Sequence, residues 1–341
     1  MSRYPGGLIR KTPVTPAGPF QCGAAKGVWT LAEASFWTKQ GLWPIAGNVP
    51  PETFAIFALG STAGGAVTTR DKYTYSGCAV STGGAATAAS QAGSAAGNST
   101  VGIFALGGTA GGAVTTRDKY TYSGDVVSAG GAATAASQRG SAAGNSTVGI
   151  FALGQAPSVS TTRNKYTYSG CVVSAGGAAT VASYYSSAAG NSTVGIFALG
   201  CNGSFTALTT RNKYTYSGDV VSAGGAATVA SAYGSAAGNS TVGIFALATN
   251  ACGSPITTRD KYTYSGCVVS AGGAATAASY SGSAAGNSTV GIFALGNVSF
   301  SPSTTRNKYT YSGCVVSAGG AATVASREGS AASNGTSGVN M

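Results

Sequence analysis

Ten residues, Thr-Thr-Arg-Asx-Lys-Tyr-Thr-Tyr-Ser-Gly, return six times along this chain, with the arginine at Arg70, Arg117, Arg163, Arg211, Arg259 and Arg306. A second string, Ile-Phe-Ala-Leu, returns in step with it at Phe57, Phe104, Phe151, Phe197, Phe245 and Phe293. Successive arginines stand 46 to 48 residues apart. A period of that length marks a supersecondary unit that cannot bury its apolar face alone, so the copies must pack on one another.

Each unit reads as four short strands. In the copy from 93 to 134, Ser94–Ala96 is an inner strand of small residues, and Gly97-Asn98-Ser99 is a turn because Gly and Asn tolerate positive φ. Val101–Leu106 is an apolar run of strand length, suited to burial on both faces. Thr115–Tyr122 alternates, with Arg117 and Lys119 on one face and Tyr120 and Tyr122 on the other. Ser123-Gly124 turns the chain into an outer strand, Asp125–Ser128. Gly and Ala near the inner strand fit the crowded centre of a propeller.

The two ends of the repeat region complement each other. Residue 54 enters directly at a second strand, Phe54–Leu59, and the residues from Gly329 to Asn334 supply a first strand with no second after it. Pairing the two removes the open edges of a linear array. The expectation over 54–341 is therefore an all-β, six-bladed β-propeller with four-stranded blades, closed by its N- and C-terminal strands. An open solenoid would need polar caps, and none is legible here.

The unit resembles the kelch repeat, in which an apolar strand ends in a Gly doublet and an aromatic strand follows. Gly107-Gly108 keeps the doublet, Gly60, Gly154, Gly200 and Gly296 keep one Gly, and Ala248 takes its place in the remaining copy. The Lys-Tyr-Thr-Tyr and Gly-Asn-Ser-Thr-Val-Gly-Ile-Phe strings are similar to a divergent kelch variety of phage and environmental bacterial sequences. The resemblance covers 54–335 and implies a fold; kelch propellers serve many functions.

Composition narrows the chemistry. His is absent, so the usual general base and imidazole metal ligand are missing. A kelch-type copper oxidase site, which uses His ligands, cannot be built. Six-bladed sialidases need a converging Arg triad, whereas arginines at one repeat position are spread around the ring. The eight acidic residues are mostly repeat copies and offer no obvious carboxylate pair for glycoside hydrolysis. Gly runs such as Ala63-Gly64-Gly65 lack the Lys and helix of a phosphate loop. The expectation is a non-enzyme with no catalytic residue, no metal and no cofactor.

The net charge of +11 suggests nucleic acid until it is located: twelve of the nineteen basic residues come from the one motif. That favours a solvated or ladder-paired ring of charges over a phosphate-binding surface. No run of eighteen apolar residues could insert in a membrane, and the stretch after Met1 has no apolar signal core. Of seven Cys, Cys78, Cys171, Cys267 and Cys314 follow Tyr-Ser-Gly where two other copies carry Asp125 and Asp219. A position that accepts Cys or Asp is not a disulfide framework, so free thiols are expected. Cys201 and Cys252 lie in corresponding variable loops, and whether they pair stays open.

Residues 1–53 hold seven of the ten Pro and all three Trp. Thr30-Leu31-Ala32-Glu33 reads as a capping box opening a helix of roughly ten residues that ends at Gly41. So short a helix is unstable alone, and Trp29, Phe36, Trp37 and Trp43 need a surface, either the propeller or another protein. The string from Gly27 through Pro44 resembles N-terminal segments of tailed-phage structural proteins. That resemblance implies an attachment segment, made without a signal peptide and docked on other virion proteins.

Comparing the six copies locates their differences. The connections between second and third strands, and between fourth and first strands, vary; the Gly-Asn-Ser-Thr and Tyr-Ser-Gly turns hardly change. In an antiparallel meander both variable connections emerge on one face. Arg139, Tyr184, Tyr185, Phe205, Tyr233, Tyr280 and Phe300 gather there as candidate binding residues, on loops above a rigid scaffold. The expected function is a virion component, a tail fibre, baseplate or other appendage, whose face meets a host-surface glycan or protein, alone or as a homo-oligomer. The alternatives are a lectin-like bacterial adhesion propeller and a cytosolic kelch scaffold.

Overall fold

The repeat folds into six four-stranded antiparallel sheets. The computed structural model describes Ala32, Ser35, residues 53–250 and residues 253–335. The expected capped helix with Trp29, Phe36, Trp37 and Trp43 lies outside the described residues, Ala32 and Ser35 apart, as do Cys22 and Cys252. The chain divides into two units, Met1–Glu52 and Thr53–Met341.

In the second sheet, Ser94–Gly97, Val101–Ala105, Arg117–Thr121 and Val126–Ala129 lie side by side. Ala96 faces Ile103, Ile103 faces Lys119, and Lys119 faces Ser128. The third sheet repeats this register as Ala143, Ile150, Lys165 and Ser174. The first sheet draws on both ends of the repeat region. Ser330–Ser333 pairs with Phe54–Ala58, which pairs with Arg70–Thr74 and through it with Ala79–Thr82. Phe57 stands opposite Ala331 on one side and Asp71 on the other.

Local chemistry fixes each turn. Asn98 Oδ1 accepts from the N–H groups of Thr100 and Val101 at 2.9 and 3.0 Å, an Asx-type turn. Its Nδ2 then donates to the Ser146 carbonyl of the next sheet at 3.0 Å, and Asn145 does the same toward Ser192. The outer strand begins one residue later than the sequence suggested. Asp125 (φ 54°) and its counterpart Cys78 (φ 51°) are left-handed and belong to the turn.

Ile103 and Phe104 are fully buried, as expected for an apolar strand packed on both faces. Gly102 sits between them and the neighbouring sheet, where a Cβ would stand 3.0 Å from the Cβ of Ala332. The missing side chain lets adjacent sheets approach. Inner strands pack on one another in order around the axis, and Ser330–Ser333 also contacts Ser94–Gly97. The described residues thus form an all-β, β-propeller-like repeat fold.

Candidate binding face

The repeat arginines are not solvated. All six are at most 1% exposed, and each reaches across to the next sheet. Arg70 Nη2 donates to Asp118 Oδ2 at 2.8 Å while its guanidinium lies 4.6 Å over the Phe104 ring. Arg211 meets Asp260 at 2.7 Å and Arg306 meets Asp71 at 2.8 Å. Arg117, Arg163 and Arg259 instead donate to the amide oxygens of Asn164, Asn212 and Asn307. Burial there lowers the guanidinium to about 10, with no carboxylate to oppose it. A threonine makes Asp and Asn interchangeable: Thr87 Oγ1 donates to Asp118, whereas Thr134 Oγ1 accepts from Asn164 Nδ2. The ladder-paired reading holds and the solvated one is overturned, because desolvated ring faces and fixed acceptors compensate the charge.

The repeat lysines explain the Cys-or-Asp position. Lys72 Nζ lies 3.1 Å from both carboxylate oxygens of Asp125, and Lys165 lies 3.0 Å from both of Asp219. Lys308 Nζ is 3.9 Å from Cys78 Sγ, so the thiol fills the slot of a carboxylate. Cys78, Cys171, Cys201, Cys267 and Cys314 are free thiols.

The two variable connections touch each other. Those between second and third strands fold into small hairpins, among them Ser61–Thr62 with Gly65–Ala66 and Asn297–Val298 with Ser301–Pro302. Backbone hydrogen bonds join them to the connections before the inner strands: Gln91 to Gly108 at 2.9 Å, Tyr184 to Cys201 at 3.0 Å, Arg327 to Ser61 at 2.8 Å.

One residue further on, Ala92, Arg139, Tyr185, Tyr233, Ser281 and Glu328 all have φ between 53° and 60°. Each N–H donates to the carbonyl of the equivalent residue in the preceding repeat: Arg139 to Ala92, Tyr185 to Arg139, Tyr233 to Tyr185, Ser281 to Tyr233, Glu328 to Ser281. Ala92 donates to Glu328 at 2.8 Å, which makes the chain of bonds circular. No side-chain pattern announces a backbone circle, and the sequence reading missed it.

Six of the seven candidate residues form one unbroken arc of rings. Centroid separations run 5.7 Å from Phe205 to Tyr184, 4.7 Å to Tyr185, 3.7 Å to Tyr233, 6.2 Å to Tyr280 and 6.2 Å to Phe300. The terminal phenylalanines are 76% and 73% exposed, held at φ 58° and 64°. Tyr184 departs from the expectation: it is buried against Cys201 and Ala232 and props Phe205 and Tyr185 instead of meeting solvent. Burial, and the neighbouring hydroxyl of Tyr233, push the Tyr185 phenol up. The seventh candidate, Arg139, lies 4.9 Å over the Tyr185 ring and donates to Gln155 Oε1 at 2.7 Å.

Inside the backbone circle lies a cavity of about 100 Å³. Arg139, Tyr185, Tyr233 and Glu328 line it, above serines at one repeat position, Ser94, Ser141, Ser187, Ser235, Ser283 and Ser330. Among the described residues no group of three or more His, Cys, Asp or Glu side chains could hold a metal. No helix among them is long and apolar enough to cross a membrane. Compared with known proteins, the chain matches no family model and no curated protein.

Proposed function

We propose that the chain is a closed, six-bladed, kelch-like propeller that acts without catalysis as the recognition part of a tailed-phage virion appendage. The observation that carries recognition is the arc from Phe205 to Phe300, which collects the variable side chains of three successive repeats while the sheets beneath keep one register. Exposed rings over an unvarying scaffold suit the binding of a partner. The backbone circle and the Arg306–Asp71 pair support closure. Attachment rests on the tailed-phage resemblance of residues 27–44: Trp29, Phe36, Trp37 and Trp43 anchor the chain on other virion proteins, and the face meets a host-surface glycan or protein.

The test is adsorption of the fluorescently labelled full chain to a panel of bacterial cells. At least one strain should be bound, and the double substitution Phe205→Ala, Phe300→Ala should lower binding about tenfold, as expected for two exposed anchors. A chain that binds no strain, or a double variant that binds like the parent, contradicts the reading. Detection of the chain in purified particles tests the virion assignment.

A further inference from the structure

We infer that the axial cavity is a binding site for one neutral saccharide ring, an inference that rests on the reading of this face as a recognition surface. The first observation is where the repeats differ. At the circle position the copies carry Ala92, Arg139, Tyr185, Tyr233, Ser281 and Glu328, whereas two residues later every copy carries serine. The backbone is the same at all six, φ 53° to 60°, a conformation glycine would adopt without strain and bulky side chains adopt rarely. The backbone circle asks nothing of these side chains. Their common property is that five of the six project a functional group, a guanidinium, two phenols, a hydroxyl and a carboxylate, at the mouth of one cavity.

The second observation is the chemistry of the lining. Among the described residues, the hydroxyls of Ser94, Ser187, Ser235, Ser283 and Ser330 have no protein partner, and only Ser141 is engaged, with Ser186 at 2.9 Å. Free hydroxyls around an axis offer donors and acceptors in every direction, which matches a polyhydroxylated ligand and not a hydrocarbon. Above them Tyr185 and Tyr233 stack on each other, ring centroids 3.7 Å apart, and line the mouth with apolar ring edges that the C–H groups of a sugar can meet. Arg139 and Glu328 flank Ala92 across the mouth, and their opposite charges disfavour a ligand of either sign. The Glu328 carboxylate is a planar group able to accept from two adjacent hydroxyls at once, while Arg139, already donating from Nη1 to Gln155, offers Nη2. A cavity of about 100 Å³ that opens to solvent has room for a small polar molecule, which suits a single pyranose.

Saturation-transfer NMR and isothermal titration of the full chain with neutral monosaccharides and their methyl glycosides, with inorganic phosphate as the anionic probe, test the site. At least one sugar should bind with Kd of about a millimolar or tighter, and phosphate should not. Tyr233→Ala and Glu328→Gln should each weaken that sugar about tenfold. Ser281→Tyr should abolish binding while leaving the protein folded, since Tyr185 and Tyr233 already occupy the same backbone geometry. Failure of every sugar, tighter binding of phosphate, or sugar binding of parental strength in Ser281→Tyr overturns the inference. Cell adsorption separates the two claims. Adsorption without any sugar bound sinks the pocket and leaves the recognition face standing; sugar binding without adsorption to any strain does the reverse.

Discussion

Arg306 and Asp71 lie 235 positions apart in the chain, yet the guanidinium meets the carboxylate at 2.8 Å with neither side chain exposed. The pair repeats the geometry of Arg70 with Asp118, one repeat apart at 2.8 Å. The last repeat therefore treats the first as its next neighbour. Thr323 completes the likeness, its N–H donating to Asp71 Oδ2 at 3.0 Å as Thr87 does to Asp118.

A buried charge that loses its partner is costly, whereas a neutral acceptor at the same site is already in use. Asp118→Ala leaves Arg70 unopposed and should cost about 3–5 kcal/mol in equilibrium denaturation. Asp118→Asn reproduces Asn164, whose amide accepts from Arg117 at 3.1 Å, and should cost less than half as much. Equal losses in the two variants would mean that the arginine ring is not held by these acceptors.

Cys78 should accept the carboxylate its counterparts carry. Its φ of 51° matches the 54° of Asp125, and Lys308 already points at it. Cys78→Asp should keep the fold and raise stability by up to about 1 kcal/mol at low salt, less at high salt. Cys78→Val, a β-branched residue forced to positive φ, should cost about 1–3 kcal/mol. Thermal melts of both variants decide the matter; a Cys78→Asp protein less stable than Cys78→Val contradicts the assignment of the slot.

Twelve core tyrosines, Tyr73 and Tyr75 and their ten repeat counterparts, are buried with phenols pushed above their ordinary value by desolvation. An acid whose folded pKa is raised keeps its proton in the native state while the unfolded chain releases it above pH of about 10. The native state then holds more protons, so stability falls as pH rises through that value, by about 1.4 kcal/mol per unit for each phenol. The three arginines lowered to about 10 act in the opposite sense and are outnumbered. Tyrosinate absorbance should appear together with loss of β-sheet circular dichroism; ionisation near pH 10 with the sheet signal intact would contradict it.

The sheets were legible because strand signals and spacing agree six times over: an apolar run after Gly-Asn-Ser-Thr, then alternating Thr and Tyr. The arginine ring was harder to see. Arg117 on an alternating strand reads as a solvent residue, and its partner stands a whole repeat away in a position that switches between Asp and Asn. The variable face was read from differences between copies, but Tyr184 and Tyr185 sit side by side in a loop with no period to tell the buried ring from the exposed one. The axial circle left no trace in side chains, because its bonds are all backbone.

The proposed closure of the ring carries the rest, since the axial cavity and the arc need the repeats to face one another. Equilibrium denaturation of a chain ending at Ser326 tests it most directly. That chain lacks Glu328, which completes the backbone circle, and Ser330–Ser333, which pairs with Phe54–Ala58. It should lose its single cooperative transition, with a shallower denaturant slope, or associate into oligomers through the unpaired edge strand. A monomer that unfolds with the midpoint and slope of the full chain would contradict a closed ring.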